Sequence, residues 1–138
     1  MIDKIQVKDL LIHKNDKGDL LKGFIKNDND NFGIEEVYFS EVFFNNIKGW
    51  KKHKKMTCNF IVPSGEVEFA ILNQDINYSF SITLSRKNYK LLTIPPNYWF
   101  AFKGIGKNSN LILNISDIEH SDDEVHELEI DYFKFNWK

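Results

Sequence analysis

Apolar and polar residues alternate at a spacing of two in several parts of the chain, and this spacing predicts β-strands. In segment 78–84 the large apolar residues fall on one face and the Ser and Thr residues on the other. Segment 66–72 shows the same alternation, with Val, Phe and Ile on the inward face. The run 59–62 leads into this second segment through the turn sequence Pro-Ser-Gly. A hairpin is therefore predicted there.

Further short strands are separated by turn sequences rich in Asn, Asp, Gly and Pro. Many short strands without helical periods between them are typical of a sandwich or a jelly roll. The segment from Ser121 to Glu124 has the pattern of a capping box and predicts one or two helical turns. We predict an all-β jelly-roll barrel of antiparallel strands, with at most one short helix near the C-terminus. The additional predicted strands are 4–13, 21–26, 35–44, 90–94, 98–102 and 111–115.

Composition limits the domain count and the kinds of partner. The chain has 138 residues, of which 42% are hydrophobic and 14% aromatic, so we expect a single domain over residues 1–138. The formal net charge of -2 does not attract nucleic acid, and no such partner is expected. No run approaches the roughly 20 apolar residues of a membrane helix, and the N-terminus lacks a secretory signal. We therefore expect a cytoplasmic protein without a membrane partner.

Segment 47–60 differs from its surroundings, because it contains five Lys residues and one His next to a Trp. A solvated basic loop would have the same composition. If the segment is extended, however, alternation places Lys51 and His53 on one face, directed inward. A nearby cation and partial desolvation both lower the pKa of an imidazole. A neutral His53 could then act as a base, and a charged Lys51 could stabilise an oxyanion.

Other side chains are candidates for the same cavity. His120 follows a strand and could close the mouth of a barrel, although a surface position in an acidic turn fits the sequence equally well. Tyr38 is a candidate proton carrier, although a packed Tyr with a satisfied hydroxyl is more common. Tyr98 and Trp99 cannot both face the same way, so one of them could line a cavity in which a base or sugar stacks. The four His residues lack metal-ligand spacing, and no metal is predicted.

Four sequence motifs, taken in their order along the chain, resemble motifs of the superfamily of dTDP-4-dehydrorhamnose 3,5-epimerases and its short members, the dTDP-sugar 3,4-ketoisomerases. The resemblance extends over about residues 35–137 and is specific for the superfamily but not for the reaction. It implies a cupin-type jelly roll and a homodimer in which the N-terminal strands pair with the neighbouring chain. The motifs are KGWKKHKKMT at 48–57, VPSGEVEF at 62–69, RKNYKLLTIPP at 86–96 and the turn at 117–124.

The resemblance also implies roles for individual residues. In the relatives an Arg-Gly step leads to a His, and ketoisomerases add a second His two positions later. Here Lys51 stands at the first position and His53 at the second, so His53 is the implied base. His120 falls about where epimerases place a Tyr acid, and Lys48 resembles a phosphate-binding Arg, although Lys lacks the bidentate fork. Arg86 or Lys103 could help to neutralise a diphosphate. The substrate-binding candidates are therefore Lys48, Trp50, Asn59, Arg86, Tyr98, Trp99 and Lys103.

The implied substrate is a dTDP-linked 4-keto-6-deoxy sugar, whose ketone acidifies the hydrogens at C3 and C5. Proton transfer then requires a base and a cation, and no cofactor is expected. We expect a 3,4-ketoisomerase that serves the synthesis of an unusual deoxy or amino sugar for a surface polysaccharide. His53 is the expected base, Lys51 the oxyanion stabiliser, and Tyr38 or His120 the second proton carrier. The alternatives are a 3,5- or 3-epimerase and a non-catalytic sugar-binding cupin.

Overall fold

Two five-stranded antiparallel sheets face each other in the computed structural model, which describes residues 4–24 and 33–138. The predicted antiparallel all-β jelly roll is confirmed. In spatial order, the first sheet consists of β1 (Gln6–Asp9), β9 (Lys90–Ile94), β6 (Cys58–Ser64), β11 (Asn110–Ser116) and β4 (Glu36–Val42). The second sheet consists of β12 (Val125–Glu127), β5 (Ile47–His53), β10 (Trp99–Gly104), β7 (Glu66–Leu72) and β8 (Ser79–Ser85). A separate pair is formed by β2 (Ile12–His13) and β3 (Leu20–Leu21).

The main apolar core lies between the two large sheets. The predicted inward face of β7 is fully buried there, and so is Leu84 near the end of β8. Phe80 and Ile82 pack against this core, as their alternation predicted. Tyr78, which was predicted on the same face, lies before β8 and is 51% exposed. Period-two alternation therefore identified the buried faces, apart from one residue at a strand end.

β6 and β7 are joined by a tight corner between the sheets. β6 pairs with β9 and β11, whereas β7 pairs with β8 and β10. The predicted hairpin between these runs is therefore wrong, although both strands are present. Gly65 forms the corner with a φ of 83°, and a Cβ at this position would lie 2.3 Å from Oδ1 of Asn110. The same oxygen accepts hydrogen bonds from the N–H groups of Glu66 and Gly106, so β11 holds the corner in place.

The C-terminal segment 128–138 covers the outer face of the second sheet. Trp50 is fully buried between this segment and the sheet, and its indole N–H donates to the carbonyl of Ile130 at 3.0 Å. Phe133 packs edge-on against Trp50, with ring centroids 5.3 Å apart. Phe135 and Trp137 belong to the same cluster. The strand that carries the basic motif is thus packed on its outer side as well as its inner side.

The ends of the predicted strands differ from the observed ones by small shifts. The strands 35–44, 90–94, 98–102 and 111–115 correspond to β4, β9, β10 and β11, with ends moved by at most two residues. Segment 4–13 contains two shorter strands, β1 and β2, and between them the N–H of Leu10 donates to the carbonyl of Tyr89. Of the predicted strand 21–26, only Leu21 lies in a strand, β3, while residues 22–24 do not, and residues 25 and 26 lie outside the described residues. Within the described parts of the chain, no helix has the length and apolarity needed to cross a membrane.

Candidate active site

A cavity of about 130 Å3 opens between the two sheets at the end where β4 and β5 lie. Tyr38 and Ser40 reach it from β4 in the first sheet, and His53 reaches it from β5 in the second. Three Phe rings form its apolar wall, and the loop after β11 contributes His120. The lining residues are Tyr38, Ser40, Lys48, Gly49, Lys51, His53, Phe60, Phe100, Phe102 and His120.

Lys51 and His53 lie on the same face of an extended segment, as the alternation predicted, and both line this cavity. The imidazole of His53 is 5% exposed and stacks on the ring of Phe100, with centroids 5.9 Å apart and planes inclined by 19°. The Lys51 side chain is 46% exposed and lies 3.8 Å from a carboxylate oxygen of Glu127. A buried imidazole and a solvated ammonium therefore share one wall of the cavity.

The carboxylate of Glu124 fixes the orientation of the His53 imidazole. One carboxylate oxygen, Oε1, is hydrogen-bonded to Nδ1 of His53. The other, Oε2, accepts from the backbone N–H groups of Lys55 at 3.0 Å and Met56 at 3.3 Å. An acceptor on Nδ1 fixes the proton there, so the second nitrogen, Nε2, is left free to accept a proton. This arrangement is the one a general base requires.

Glu124 does not take part in the predicted capping box. Only a single 3-10 turn, Asp122–Glu124, forms, and Ser121 makes no side-chain capping hydrogen bond. The carboxylate instead points into the protein, where Glu124 is 5% exposed. The prediction of a short helical turn is confirmed, while the capping role is wrong because the carboxylate is bonded instead to the His53 imidazole and to the N–H groups of Lys55 and Met56.

The charge states of this pair follow from burial and hydrogen bonding. Burial lowers the pKa of His53 and outweighs the Glu124 carboxylate, which raises it. The positive charge of Lys51 lowers the pKa of His53 further. Burial alone would raise the pKa of Glu124, but the hydrogen bonds from His53, Lys55 and Met56 hold it below its ordinary value. Near neutral pH the pair is therefore a neutral imidazole beside an ionised carboxylate.

Tyr38 faces His53 from the opposite sheet. Its hydroxyl lies 2.8 Å from Nδ2 of Asn114, the residue beside it on β11. Burial raises the pKa of Tyr38 above its ordinary value. His120 lies at the mouth of the cavity, where its side chain is 47% exposed and Nε2 lies 3.1 Å from a carboxylate oxygen of Asp122. Both predicted proton carriers thus border the cavity, one inside and one at its edge.

Several predicted substrate-binding residues lie away from this cavity. Trp50 and Trp99 belong to the cluster under the C-terminal segment, and Lys52 lies 5.0 Å from the centroid of the Trp99 ring. Lys103 is hydrogen-bonded through its ammonium to the carbonyl of Lys138, the last residue of that segment. The alternation along β5 and β10 explains these positions, because neighbouring residues point to opposite faces of the sheet.

Asn59, Arg86 and Tyr98 are also absent from the cavity lining. Asn59 is buried within the first sheet, where its side chain donates to Ile115 and accepts from Thr93. The guanidinium of Arg86 donates to the carbonyl of Pro63. Tyr98 packs against the main core. Among the predicted substrate-binding residues, only Lys48 borders the cavity.

Sequence reasoning missed Glu124, Asn114 and the Phe wall. Glu124 is one of several acidic residues in segment 117–129, and nothing local distinguishes it. Asn114 had a detectable signal, because a buried Asn at the centre of an apolar strand needs hydrogen-bond partners. Phe100 lies in the aromatic run before Lys103, where nothing local shows that its ring stacks on the imidazole.

The chain is similar to known proteins in both sequence and fold. The family model described as FdtA: WxcM-like, C-terminal, matches residues 3–136. The chain belongs to this family. The resemblance to dTDP-sugar epimerases and ketoisomerases that the motifs indicated is thereby confirmed.

The relatives of this WxcM-like protein are isomerases and epimerases. The probable low-salt glycan biosynthesis epimerase Agl13 of Haloferax volcanii is 24% identical over 135 residues, which cover 89% of this chain and 86% of the relative. The crystal structure of a dTDP sugar isomerase from Desulfovibrio desulfuricans G20 is 30% identical, with a TM-score of 0.86 and coverage of 95% of this chain and 87% of that one.

A third relative has a similar fold at lower identity. QdtA, a sugar 3,4-ketoisomerase from Thermoanaerobacterium thermosaccharolyticum solved in complex with TDP, is 17% identical, with a TM-score of 0.76 and coverage of 96% and 93% of the two chains. The predicted enzyme class, an isomerase or epimerase, is confirmed by these family relationships. An epimerase and a 3,4-ketoisomerase are both among the proteins to which the chain is similar.

Proposed function

We propose that the protein is a 3,4-ketoisomerase of a dTDP-linked 4-keto-6-deoxyhexose. The observation that carries this proposal is that His53, hydrogen-bonded to Glu124, and Tyr38 border one cavity from opposite sheets. A ketone at C4 makes the hydrogen at C3 acidic, and one base on one face of the sugar can move that proton to C4. On the other side of the cavity, the phenol of Tyr38 can donate a proton to the oxygen on C4 and accept one from the oxygen on C3.

The proposed reaction conserves all atoms and protons. Nε2 of His53 removes the proton from C3 while Tyr38 donates its proton to the oxygen on C4, which gives an enediol. The Tyr38 phenolate then takes the proton from the oxygen on C3, and His53 returns its proton to C4. The ketone has moved from C4 to C3, and both side chains have regained their starting states. We assign Lys51 to stabilise the negative charge that develops on oxygen during these steps.

The cationic side of the cavity is suited to a diphosphate. Lys48 and Lys51 border the cavity, whereas the carboxylate of Glu124 lies behind His53 and is bonded to His53 and two backbone N–H groups. A nucleotide diphosphate placed at this side would leave the hexose over the Phe wall and beside His53. We infer that Lys48 takes the phosphate-binding role that an Arg has in the relatives.

Nuclear magnetic resonance in deuterated buffer tests the reaction directly. With dTDP-4-keto-6-deoxyglucose as substrate, we expect the ketone to move to C3 and deuterium to enter only at C3 or C4. His53→Gln should abolish the exchange, while His126→Gln, which alters an exposed His on β12, should leave it unchanged. Absence of exchange in the wild type with this substrate would overturn the proposal.

An epimerase is the second candidate, because His120 also borders the cavity and could deliver a proton from another side. Epimerisation returns the proton to the opposite ring face, so it predicts deuterium at C3, or at both C3 and C5, with the ketone still at C4. A non-catalytic sugar-binding cupin predicts no exchange but retained affinity for the nucleotide sugar in the His53→Gln variant. The experiment above separates the three.

Two further properties stay predictions. We infer a homodimer, which is supported by exposed apolar side chains on the edge strand β4, among them Val37 and Phe39. In the structure β1 pairs with β9 of the same chain, so any exchange of N-terminal strands would have to replace this pairing. Sedimentation equilibrium measures the dimer. A cytoplasmic location is likewise inferred, because the proposed substrate is a nucleotide sugar.

A further inference from the structure

The Asn114 side chain links the backbone of one strand to the hydroxyl of Tyr38. Asn114 is 1% exposed and lies at the centre of β11, between β6 and β4. Its Oδ1 accepts a hydrogen bond from the backbone N–H of Asn59 at 3.0 Å. Its Nδ2 lies 2.8 Å from the Tyr38 oxygen and 4.0 Å from the sulfur of Met56. Both ends of this buried amide therefore have defined partners.

The orientation of this amide follows from the chemistry of its partners. A backbone N–H can only donate, so the Asn59 N–H requires the oxygen of Asn114. A flipped amide would place NH2 against that N–H and leave two buried donors facing each other, which is costly. Nδ2 must therefore face Tyr38, and because NH2 can only donate, the Tyr38 oxygen is the acceptor. The phenol proton is not used in this contact.

This hydrogen bond has two consequences for Tyr38. First, its proton is free to point toward a ligand in the cavity that Tyr38 lines. Second, the N–H of Asn114 stabilises the phenolate that remains after the proton has left, and so lowers the pKa of Tyr38. Burial acts in the opposite direction and prevails, and the negative charges of Glu36 and Glu124 add to its effect. The phenol is protonated near neutral pH and ready to donate.

We propose that Asn114 is a positioning residue that fixes Tyr38 as a proton donor into the cavity. This proposal rests on the ketoisomerase function above and selects Tyr38 over His120 as the second proton carrier. His120 is half exposed at the cavity mouth and is bonded to Asp122, whereas Tyr38 faces His53 from the opposite sheet. Asn114 acts only through Tyr38 and is absent from the cavity lining.

Asn114→Asp tests the proposal with minimal change of shape. The Asp variant keeps an oxygen for the Asn59 N–H, but its second oxygen accepts the phenol proton and holds it away from the substrate. We expect kcat to fall by about 10²-fold or more, the lower range for a lost acid, with little change in KM. The same substitution at exposed Asn108 is the matched control and should leave both constants unchanged.

A double-mutant cycle with Tyr38→Phe shows whether Asn114 acts through Tyr38. We expect Asn114→Asp to cause no further loss of kcat once the phenol is absent. If the losses multiply instead, Asn114 acts by another route, for example through the charge it adds near His53, and the proposal is wrong.

A spectroscopic measurement tests the hydrogen bond without requiring turnover. The nitrogen–proton NMR spectra of the wild type and of Tyr38→Phe are compared. The side-chain amide protons of Asn114 should resonate further upfield in Tyr38→Phe, because their hydrogen bond to the phenol oxygen is lost. An unchanged resonance would overturn the inference even if the Asp variant does not fold. Absence of exchange with dTDP-4-keto-6-deoxyglucose would instead remove the proposed function, while this resonance still tests the hydrogen bond by which Asn114 positions Tyr38.

Discussion

At the scale of single residues, Glu124 uses its two carboxylate oxygens for different partners. Oε1 is bonded to His53, and Oε2 accepts from two backbone N–H groups. In a Glu124→Gln variant the carbonyl oxygen must face those N–H groups, because an NH2 group there would meet two donors. The NH2 group then faces Nδ1 of His53, which has to accept. The ring proton moves to Nε2, and the base is lost.

We therefore expect Glu124→Gln to lower kcat by about 10²- to 10⁴-fold, the range for loss of a general base or of its correct tautomer. Asp123→Asn, which changes the exposed neighbouring carboxylate, should keep wild-type turnover. Steady-state kinetics of both variants provide the comparison. Wild-type kcat in Glu124→Gln would mean that the orientation of His53 does not depend on this carboxylate.

Lys51 influences His53 through its charge. Because a nearby cation disfavours the imidazolium, Lys51 lowers the pKa of His53. In Lys51→Gln the pKa of His53 should rise, and the loss of kcat/KM on acidification should begin at a higher pH. The shift should stay below about one pH unit, because a half-exposed ammonium is screened by water. Rate profiles between pH 5 and pH 8 measure it. Lys52→Gln, on the outer face over Trp99, should not shift the profile.

At the scale of strands and segments, the fold was predictable where the pattern was local. β7 and β8 show clear alternation, and their buried faces match it. The partner of β6 was not predictable, because Pro63-Ser-Gly65 suits a hairpin and a corner between sheets equally well. The C-terminal cover left a signal that was overlooked, since Phe133, Phe135 and Trp137 alternate in the last residues of the chain.

The candidate site was predictable only in part, for a physical reason. His53 and Lys51 follow from alternation along one strand. Glu124 is 71 residues away in the chain, so its contact with His53 depends on β12 pairing with β5, which no local pattern specifies. Trp50 and Trp99 were assigned to the substrate although they face the outer cluster. Alternation divides the residues of a strand between the two faces of its sheet. It does not show whether another segment packs on the outer face, as the C-terminal segment does here.

Gly65 is the residue at which the corner between the sheets can be tested. A Cβ there would lie 2.3 Å from Oδ1 and 2.8 Å from Cα of Asn110, and the φ of 83° disfavours any L side chain. We expect Gly65→Ala to reduce the free energy of unfolding by about 2–4 kcal/mol, from backbone strain and overpacking together. Gly18→Ala is the matched control, because its φ is also positive but nothing lies within 4 Å.

Urea denaturation of the two variants separates strain from clash. Gly18→Ala should lose only the part that comes from the backbone conformation, about 1–2 kcal/mol. Equal losses at both positions would show that the contact with Asn110 does not restrict the corner.

At the scale of the whole molecule, the cavity exists only because the two sheets face each other. Tyr38 belongs to the first sheet and His53 to the second, while Glu124 precedes the edge strand β12. Residues of the β2–β3 pair cover the outer face of the first sheet over β6, β9 and β11, and the C-terminal segment covers the outer face of the second sheet. Burial of His53 is therefore a property of the assembled fold, and folding and the protonation of this imidazole must be linked.

The sign of this linkage follows from the direction of the pKa shifts. The pKa of His53 in the folded protein lies below the ordinary 6.5, so the unfolded chain binds a proton that the folded protein excludes. The stability due to neutral His53 is fully present above about pH 6.5 and is lost as the pH falls toward the folded pKa. Glu124, whose pKa is also lowered, adds a further loss at lower pH, below its ordinary value of 4.5.

We therefore expect the free energy of unfolding to fall between pH 7 and pH 5, with a contribution from His53 of at most about 1.4 kcal/mol per pH unit. Urea denaturation at a series of pH values measures the slope. His53→Gln should flatten it, because the group that takes up the proton on unfolding is gone, whereas His126→Gln should keep the wild-type slope. The same slope in His53→Gln and the wild type would mean that the folded protein does not hold this imidazole neutral, and the base assigned to the reaction would then be charged when it should accept a proton.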